Sequence, residues 1–224
     1  MSRRLVVRSA LQVAALGAVA ALTVALTGVP ASGAFTAVTG NGADSVGTAA
    51  SFCVSPGPRD VVVANDAWTD EAAPATANGT TAALRVRSGG IANRRSYLRF
   101  PLSVPHRCEL VSAELRLFNR VPSPGRIIDV YRADPAQNPQ WGAGSLNWIN
   151  QPAPAGTRVG GTAPGAAGLQ TWNVTAHVST LLSGPNNGFV LLDRQEGQNG
   201  PFAQAYDEQS TAGGTAPSLR LTWG

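Results

Sequence analysis

Six side chains between positions 68 and 99 have the chemistry to bind a ligand: Trp68, Arg85, Arg87, Arg94, Arg95 and Arg99. A guanidinium group presents a planar fork of N–H donors that holds a carboxylate through two parallel hydrogen bonds. An indole ring beside carboxylates on a polar loop, as at Trp68, is typical of a binding surface. We therefore predict that these six residues bind an anionic ligand.

Two other interpretations of these residues stay open. Trp68 could pack at the edge of a sheet, and the arginines could form a solvated face that prevents aggregation through a strand edge. Because side chains alternate along a strand, Arg85 and Arg87 would share one face. Hairpin pairing with the next strand would bring Arg99 to that same face.

The sequence lacks the motifs of the common catalytic sites. It has no Gly-x-Ser-x-Gly, no His-x-x-x-His and no phosphate-binding loop. Asp207 and Glu208 are adjacent, so on a strand they would point to opposite faces and could not act together on one glycosidic bond. We therefore predict that the protein is not an enzyme.

Metal ligands are equally scarce. The two histidines, His106 and His177, have no neighbours at ligand spacing. Calcium needs six to eight oxygen ligands, and the segment that contains Trp68 offers four oxygen-bearing side chains at a spacing that matches no known calcium loop: Asp66, Asp70, Glu71 and Asn78. We predict no cofactor, with a structural calcium ion as the alternative.

The N-terminal sequence predicts a signal peptide over residues 1–34. Three arginines precede an almost entirely apolar run, Leu11–Val29, and small residues follow at 31–34. These are the three parts of a cleavable leader. The apolar run is also just long enough to span a bilayer, so a retained membrane anchor is the alternative.

The rest of the chain divides into a predicted flexible linker, 35–58, rich in Gly, Ala, Ser and Thr, and a folded domain, 59–224. All 17 basic residues are arginines, and loss of the leader leaves 14 of them against 13 acidic residues. A domain this close to neutral has no overall field to attract nucleic acid or an anionic membrane, so we exclude both as partners.

The two cysteines, Cys53 and Cys108, predict one disulfide because the chain is expected to be exported. The bridge would close a loop of about 55 residues and contribute on the order of 3–4 kcal/mol. Two free thiols or a lipid anchor are the alternatives, although the sequence before Cys53 lacks a lipidation pattern.

Apolar residues recur at every second position in many short stretches after Asp60, which predicts strands with one buried and one wet face. This alternation puts Val111 on a buried face and Tyr97 on a wet face. Frequent Pro and Gly between the strands favour an antiparallel all-β sandwich. The predicted strands are DVVVANDAW, AALRVRSG, SYLRFPLS, LVSAELRLF, RIIDVYRA, GFVLLDRQ and SLRLTW.

One stretch, WNVTAHVSTLLSGPNNG, breaks the alternation with apolar residues at helical spacing. Asn173 or Thr175 could cap the start of a short helix, and Gly184 with Pro185 would end it. His177 would lie on this helix as a packed or surface residue.

Tryptophans 141, 148 and 172 are predicted to be structural. A buried tryptophan removes about 150–250 Å² from water, on the order of 4–6 kcal/mol. Asn150 and Pro152 after Trp148 suit a rigid turn whose side chains cap its own backbone. We therefore expect these rings to stabilise the fold rather than to stack on a sugar.

Six blocks occur in register over about 125 residues: RRSYLRFPLS, VSAELRLF, WGAGSLNWINQPA, TWNVTAHV, NNGFVLL and PSLRLTW. In this order they resemble the DNRLRE domain, which is grouped with family 96 of the carbohydrate-binding modules. The resemblance covers roughly Asp60 to Gly224 and implies a jelly-roll-like β-sandwich in a secreted or wall-associated bacterial protein. Some members of the family bind polysaccharides, alginate-like uronates among them.

The chain departs from the family pattern at three places. Gly142 and Ala143 follow the first tryptophan where the family usually has a polar W-x-E pattern, Asn173 stands where an Asp is usual, and FAQAYDE stands where the family has an fxSxE strand. These differences leave the ligand open.

The sequence therefore predicts a secreted, monomeric, non-catalytic module that binds a polysaccharide or cell-wall polymer, with acidic polysaccharide as the expected class. The alternative is a structural or adhesive domain of the cell surface or matrix without a small ligand.

Overall fold

The computed structural model describes residues 52–197, 202–207 and 216–224, together with two short strands near the N terminus. These parts of the chain contain the following elements in order: β1 Thr36–Val38, β2 Ser45–Gly47, β3 Gly57–Val62, β4 Asn65–Asp70, β5 Ala83–Ser88, β6 Arg94–Arg99, β7 Leu110–Val121, β8 Ile127–Ala133, β9 Pro154–Thr162, β10 Gly168–Asn173, α1 Thr175–Ser183, β11 Phe189–Asp193, β12 Phe202–Asp207 and β13 Ser218–Trp223.

The chain divides into two compact units, Met1–Ser51 and Phe52–Gly224. In the first, β1 and β2 pair antiparallel, and the predicted signal peptide lies outside the described residues. The second unit begins within the predicted linker, since residues 52–58 belong to it. Among the residues that the structure describes, no helix has the length and apolar character to cross a membrane.

The larger unit is built on one curled antiparallel sheet. Nine strands follow one another in the order β3–β13–β7–β12–β5–β6–β11–β8–β9, with β10 paired to β7 and β4 paired to β6. The twelve-residue β7 pairs with three strands. It pairs with β13 near its start, with β12 near its end and with β10 along its other edge. The predicted antiparallel all-β fold with one short helix is confirmed.

The main core lies inside this curl and takes side chains from most strands. On β7, Ala113, Leu115 and Leu117 are buried on the core side and alternate with half-exposed polar residues, as the period of two predicts. Val111 was expected to be buried on the same face, and that prediction of burial is wrong. It lies near the start of β7 and is 60% exposed.

The stretch predicted as one strand, DVVVANDAW, forms two. β3 pairs with β13, whereas β4 pairs with β6, so the chain changes partners between them. The backbone hydrogen bonds record the change, since Val63 donates to Pro217 O and Ala64 donates to Arg99 O. Residues 61–63 are all valine. The apolar pattern alone therefore does not predict where one strand ends and the next begins.

A second, smaller core covers the opposite face of β4, β6, β8 and β11. Its buried members are Ala67, Tyr97, Ala133, Trp141, Leu146 and Val190. The segment 134–153 lies over these strands and supplies Trp141 and Leu146. Tyr97 was expected on a wet face, and that prediction is wrong because this segment buries the ring completely.

The predicted helix is confirmed as α1. Val178 and Leu181 face the main core, and His177 is also buried on the helix. Val174 stands at the N-cap position without a side-chain cap; instead, Asn173 Oδ1 accepts the backbone N–H of Thr175 at 3.2 Å.

The predicted disulfide is confirmed between Cys53 and Cys108. Cys108 belongs to the main core and Cys53 packs against it. The bridge fixes the segment before β3 to the turn before β7, and Val54 adds a backbone hydrogen bond to His106 O.

Candidate ligand-binding grooves

The six predicted binding residues do not form one cluster, because the alternation of β6 separates them. Arg94 lies directly opposite Asp70 and Arg87, on the side of the sheet that carries Trp68. Arg95 lies on the other face, with Tyr97 and the second core. Arg99 is on that face too, so the prediction that it shares a face with Arg85 and Arg87 is wrong.

Arg85, Arg87 and Arg94 meet in a groove of about 480 Å³ that we call the arginine groove. This volume is within the usual range of small-molecule sites. The described residues that line it include no acidic side chain: Ala83, Arg85, Val86, Arg87, Arg94, Arg120, Val121 and Ala205. The groove therefore gathers four guanidinium groups at one place on a domain that is nearly neutral overall.

The register of β5 and β6 brings like charges together. Arg87 and Arg94 are direct cross-strand partners, and like charges directly opposite each other destabilise a sheet. The ion pair of Arg94 with Asp70 compensates part of this repulsion. Within the part of the chain that the structure describes, the buried Nε of Arg87 has no hydrogen-bond partner. An unsatisfied buried donor costs about 1–3 kcal/mol.

Trp68 supports the groove from below rather than standing free. Its ring is 6% exposed, and its Nε1–H donates to Thr81 Oγ1 at 2.7 Å. The guanidinium carbons of Arg85 and Arg94 lie 5.0 and 5.1 Å from the ring centroid, at cation–π distance. The indole therefore orients two of the arginines, and it offers little open surface for a sugar.

Arg94 is also held by Asp70, whose Oδ2 accepts from Arg94 Nε at 2.9 Å. This pair neutralises part of the charge of the groove and leaves the terminal nitrogens of Arg94 for another acceptor. Asp70 is one of the four oxygen-bearing side chains considered for calcium. Another, Glu71, accepts both the backbone and the side-chain N–H of Asn93.

Within the described residues, no group of three or more metal-ligating side chains converges. Asn78 donates its side-chain amide to Thr76 O rather than lying with the carboxylates. The prediction of no cofactor, with a structural calcium ion as the alternative, is not tested and stays a prediction.

Arg95 is committed to an ion pair on the opposite face. Both oxygens of Glu196 accept from its Nε, at 3.0 and 3.1 Å. Burial lowers the pKa of Arg95, but the hydrogen bonds and charge of Glu196 outweigh this effect, and the net shift is upward. The half-buried ring of Trp148 packs 4.9 Å from the same guanidinium carbon. Arg95 therefore ties the 134–153 segment to the sheet.

Arg99 lines a second groove of about 380 Å³, which we call the amide groove. Its described lining residues are Ala64, Asn65, Arg99, Phe100, Pro101, Gln140 and Asn186. The guanidinium carbon of Arg99 lies 5.5 Å from the ring centroid of Trp141. The amide groove and the arginine groove thus take their arginines from opposite faces of β6.

The other tryptophans hold the fold, as predicted for Trp141 and Trp172. Trp141 Nε1 donates to Asn187 O and Trp172 Nε1 donates to Ile128 O, each at 3.0 Å, and both rings are buried. The predicted self-capped turn is confirmed, since Asn150 Oδ1 accepts the backbone N–H of Asn147 at 2.8 Å.

Sequence reasoning missed Arg120 in the arginine groove and the three amide side chains of the other groove. Arg120 ends the long alternating run of β7, and only the pairing of β7 with β12 brings it beside β5. The amides at 65, 140 and 186 come from three separate parts of the chain, and no local pattern marks them.

Comparison with known proteins agrees with this architecture. A search of curated proteins finds no significant match. The sequence model of carbohydrate-binding module family 96 matches residues 59–223, almost the whole of the larger unit. The chain therefore belongs to carbohydrate-binding module family 96.

Proposed function

We propose that the domain binds acidic polysaccharide in the arginine groove, outside the cell and without cleaving it. The observation that carries this proposal is the direct pairing of Arg87 with Arg94, beside a buried Arg87 Nε that has no hydrogen-bond partner among the described residues. Carboxylates along a polyuronate would neutralise these charges and satisfy that donor. Membership of a family of binding modules supports a carbohydrate as the carrier of the carboxylates.

The Trp68 ring and Asp70 give the groove its geometry in this proposal. A guanidinium that lies flat on an indole keeps its N–H edge directed outward, where it can hold a carboxylate through two hydrogen bonds. The guanidinium carbons of Arg85 and Arg94 lie 5.0 and 5.1 Å from the centroid of the Trp68 ring, the distance at which such an interaction occurs. Because no indole stands open in the groove, charge and hydrogen bonding rather than ring stacking supply the affinity.

The disulfide supports a place outside the cell, because such bridges persist in oxidising compartments. We propose that the module is exported by its N-terminal sequence and works as a monomer on a cell-wall or matrix polymer. Nucleic acid and membrane are not partners in this proposal.

A structural or adhesive role without a small ligand is the second candidate. It is favoured by the burial of Trp68, Trp141, Trp172 and Trp223, which leaves the described surface without a fully open indole. Under this alternative the arginines serve as a solvated face.

Affinity electrophoresis through gels that contain alginate, pectin or a neutral glucan distinguishes the two candidates. We expect retardation in the acidic gels alone, decreasing with salt. Arg87→Gln should weaken binding by about tenfold, the value of one lost charge-assisted hydrogen bond. Arg59→Gln removes the same charge from the exposed edge strand β3 and should leave binding unchanged.

Equal loss in Arg59→Gln and Arg87→Gln would show that only net charge matters, which overturns the groove. An absence of retardation in every gel would favour the structural role.

A further inference from the structure

The amide groove holds polar side chains that the fold does not use. The structure gives Asn65 and Gln140 no side-chain hydrogen bond within the described residues. Arg99 likewise pairs with no carboxylate there, and its only ring contact is with Trp141. Each of these groups keeps its hydrogen-bonding capacity for a molecule outside the fold.

The wall that carries these groups is fixed in place. Asn187 is buried and holds it from below: its Oδ1 accepts the backbone N–H of Gln140 at 3.0 Å, and its carbonyl accepts Trp141 Nε1–H at 3.0 Å. On the other side, Asn186 Nδ2 donates to Phe100 O at 2.9 Å. Trp141 in turn orients the Arg99 guanidinium, so a ligand would meet donors that are already in position.

The chemistry of the groove specifies its ligand. The described lining contains one guanidinium, three side-chain amides and no acidic group. The guanidinium suits one carboxylate, and the amides of Asn65 and Gln140 each offer both a donor and an acceptor, as hydroxyl groups require. We propose that the amide groove is a second, independent site for a uronic-acid residue, so that one domain holds two acidic glycan segments.

This inference rests on the proposed function for the class of ligand, but the position of the second site does not depend on it. Arg94 and Arg99 leave β6 on opposite faces, and the grooves share no described lining residue. Loss of one site therefore need not affect the other.

Isothermal titration with trigalacturonate at low ionic strength tests the inference through stoichiometry. We expect two sites per chain for the wild-type protein and one for Arg99→Gln, with about tenfold or greater loss at the affected site. Asn65→Ala should weaken the same site. It is the safer variant, because Arg99 packs on Trp141 and its loss could disturb the fold. Maltotriose, which carries no carboxylate, should not bind.

Arg87→Gln makes the test specific to each groove. It should also leave one site, and the backbone amide signals that shift on titration should then be those of residues around 65, 99 and 140. Thermal melting of each variant shows whether it is folded.

A single wild-type site that Arg87→Gln removes, and that Asn65→Ala and Arg99→Gln leave intact, would overturn the second site while the proposed function stands. A single site that Asn65→Ala and Arg99→Gln weaken, and that Arg87→Gln leaves intact, would place binding in the amide groove and contradict binding in the arginine groove. An absence of binding by the wild-type protein would overturn both.

Discussion

Strands β4, β6, β8 and β11 pack against a different core on each face, and the two cores are built by different means. The main core draws alternating side chains from most strands of the sheet. The second core forms where the 134–153 segment, which has no strand or helix, lies over the sheet and inserts Trp141 and Leu146.

Side-chain hydrogen bonds attach the 134–153 segment to the second core, whereas the strands around the main core are joined by backbone pairing. Gln151 Oε1 accepts from Thr69 Oγ1 at 2.7 Å and from Tyr97 Oη at 3.0 Å, and Tyr97 Oη also lies 2.9 Å from Pro152 O. Gly79 passes so close to the backbone of Ala143 that a β-carbon there would collide with it. A second face of the sheet can thus be buried by an irregular segment that brings both apolar and polar contacts.

The largest expected effect concerns the covalent bond at the main core. Cys53→Ser with Cys108→Ser removes a bridge between residues separated by 55 positions. It should lower the free energy of unfolding by about 4 kcal/mol in the loop-entropy model. Urea unfolding measures the loss. The wild-type protein in reductant should match the double variant, and a double variant as stable as the oxidised wild type would contradict the prediction.

A matched pair of leucines compares the cores directly. Leu115 and Leu146 are both fully buried, the first on β7 in the main core and the second in the 134–153 segment. We expect Leu115→Ala to cost about 3 kcal/mol and Leu146→Ala about 2 kcal/mol, because an irregular segment can relax into the cavity more than a central strand can. Chemical denaturation gives both values. An equal or larger loss for Leu146→Ala would show that the second core is as rigid as the main one.

These two cores also mark how far the sequence predicts the fold. The alternation of β7 and the helical spacing around Val178 follow from local periodicity, and both elements are confirmed. Tyr97 could not be placed, because its burial depends on a segment that contacts it through residues 54 and 55 positions further along the chain. The break between β3 and β4 was missed for a similar reason: it is a change of partner strand and leaves no local mark.

The candidate sites show the same limit. Arg85 and Arg87 follow a period of two and do share a groove. Arg94 joins them because it pairs directly with Arg87. Arg120 lies on β7, which is separated from β5 by β12, and also lines the groove. Residue type therefore indicates the chemistry of the binding groups, but the sheet topology decides which of them meet.

Two buried tyrosines, Tyr97 in the second core and Tyr206 in the main core, allow the same comparison through the loss of a single hydrogen bond. We expect Tyr97→Phe to cost about 1 kcal/mol, the usual net value of a hydrogen bond, and to loosen the second core alone. Hydrogen exchange should quicken at the backbone N–H of Ala153 and Asp134, which the segment protects. Tyr206→Phe, which loses the bond from Tyr206 Oη to Gln170 in the main core, should not change these two amides. Faster exchange throughout β7 in Tyr97→Phe would show that the cores unfold as one.

The smallest expected effect is a dependence of stability on pH that originates at His177 in the main core. Burial lowers the pKa of His177, which lies beside Phe189 of the main core, and the charge of Arg132 lowers it further, against the opposing effect of nearby backbone groups. Above the ordinary histidine pKa of about 6.5 both folded and unfolded chains are neutral at this position. As the pH falls below that value the unfolded chain takes up a proton before the folded chain does, so stability declines towards the lowered pKa.

Urea unfolding at several pH values between about 7.5 and 5 measures this slope. His177→Gln should flatten the slope whatever its absolute stability, because no imidazole remains at that position to titrate. His106→Gln, at the chain's other and exposed histidine, should keep the wild-type slope. An unchanged slope in His177→Gln would place the acid sensitivity on the carboxylates, such as Asp60, whose pKa the hydrogen bonds from Arg220 lower. The main core would then be no more sensitive to acid than the second.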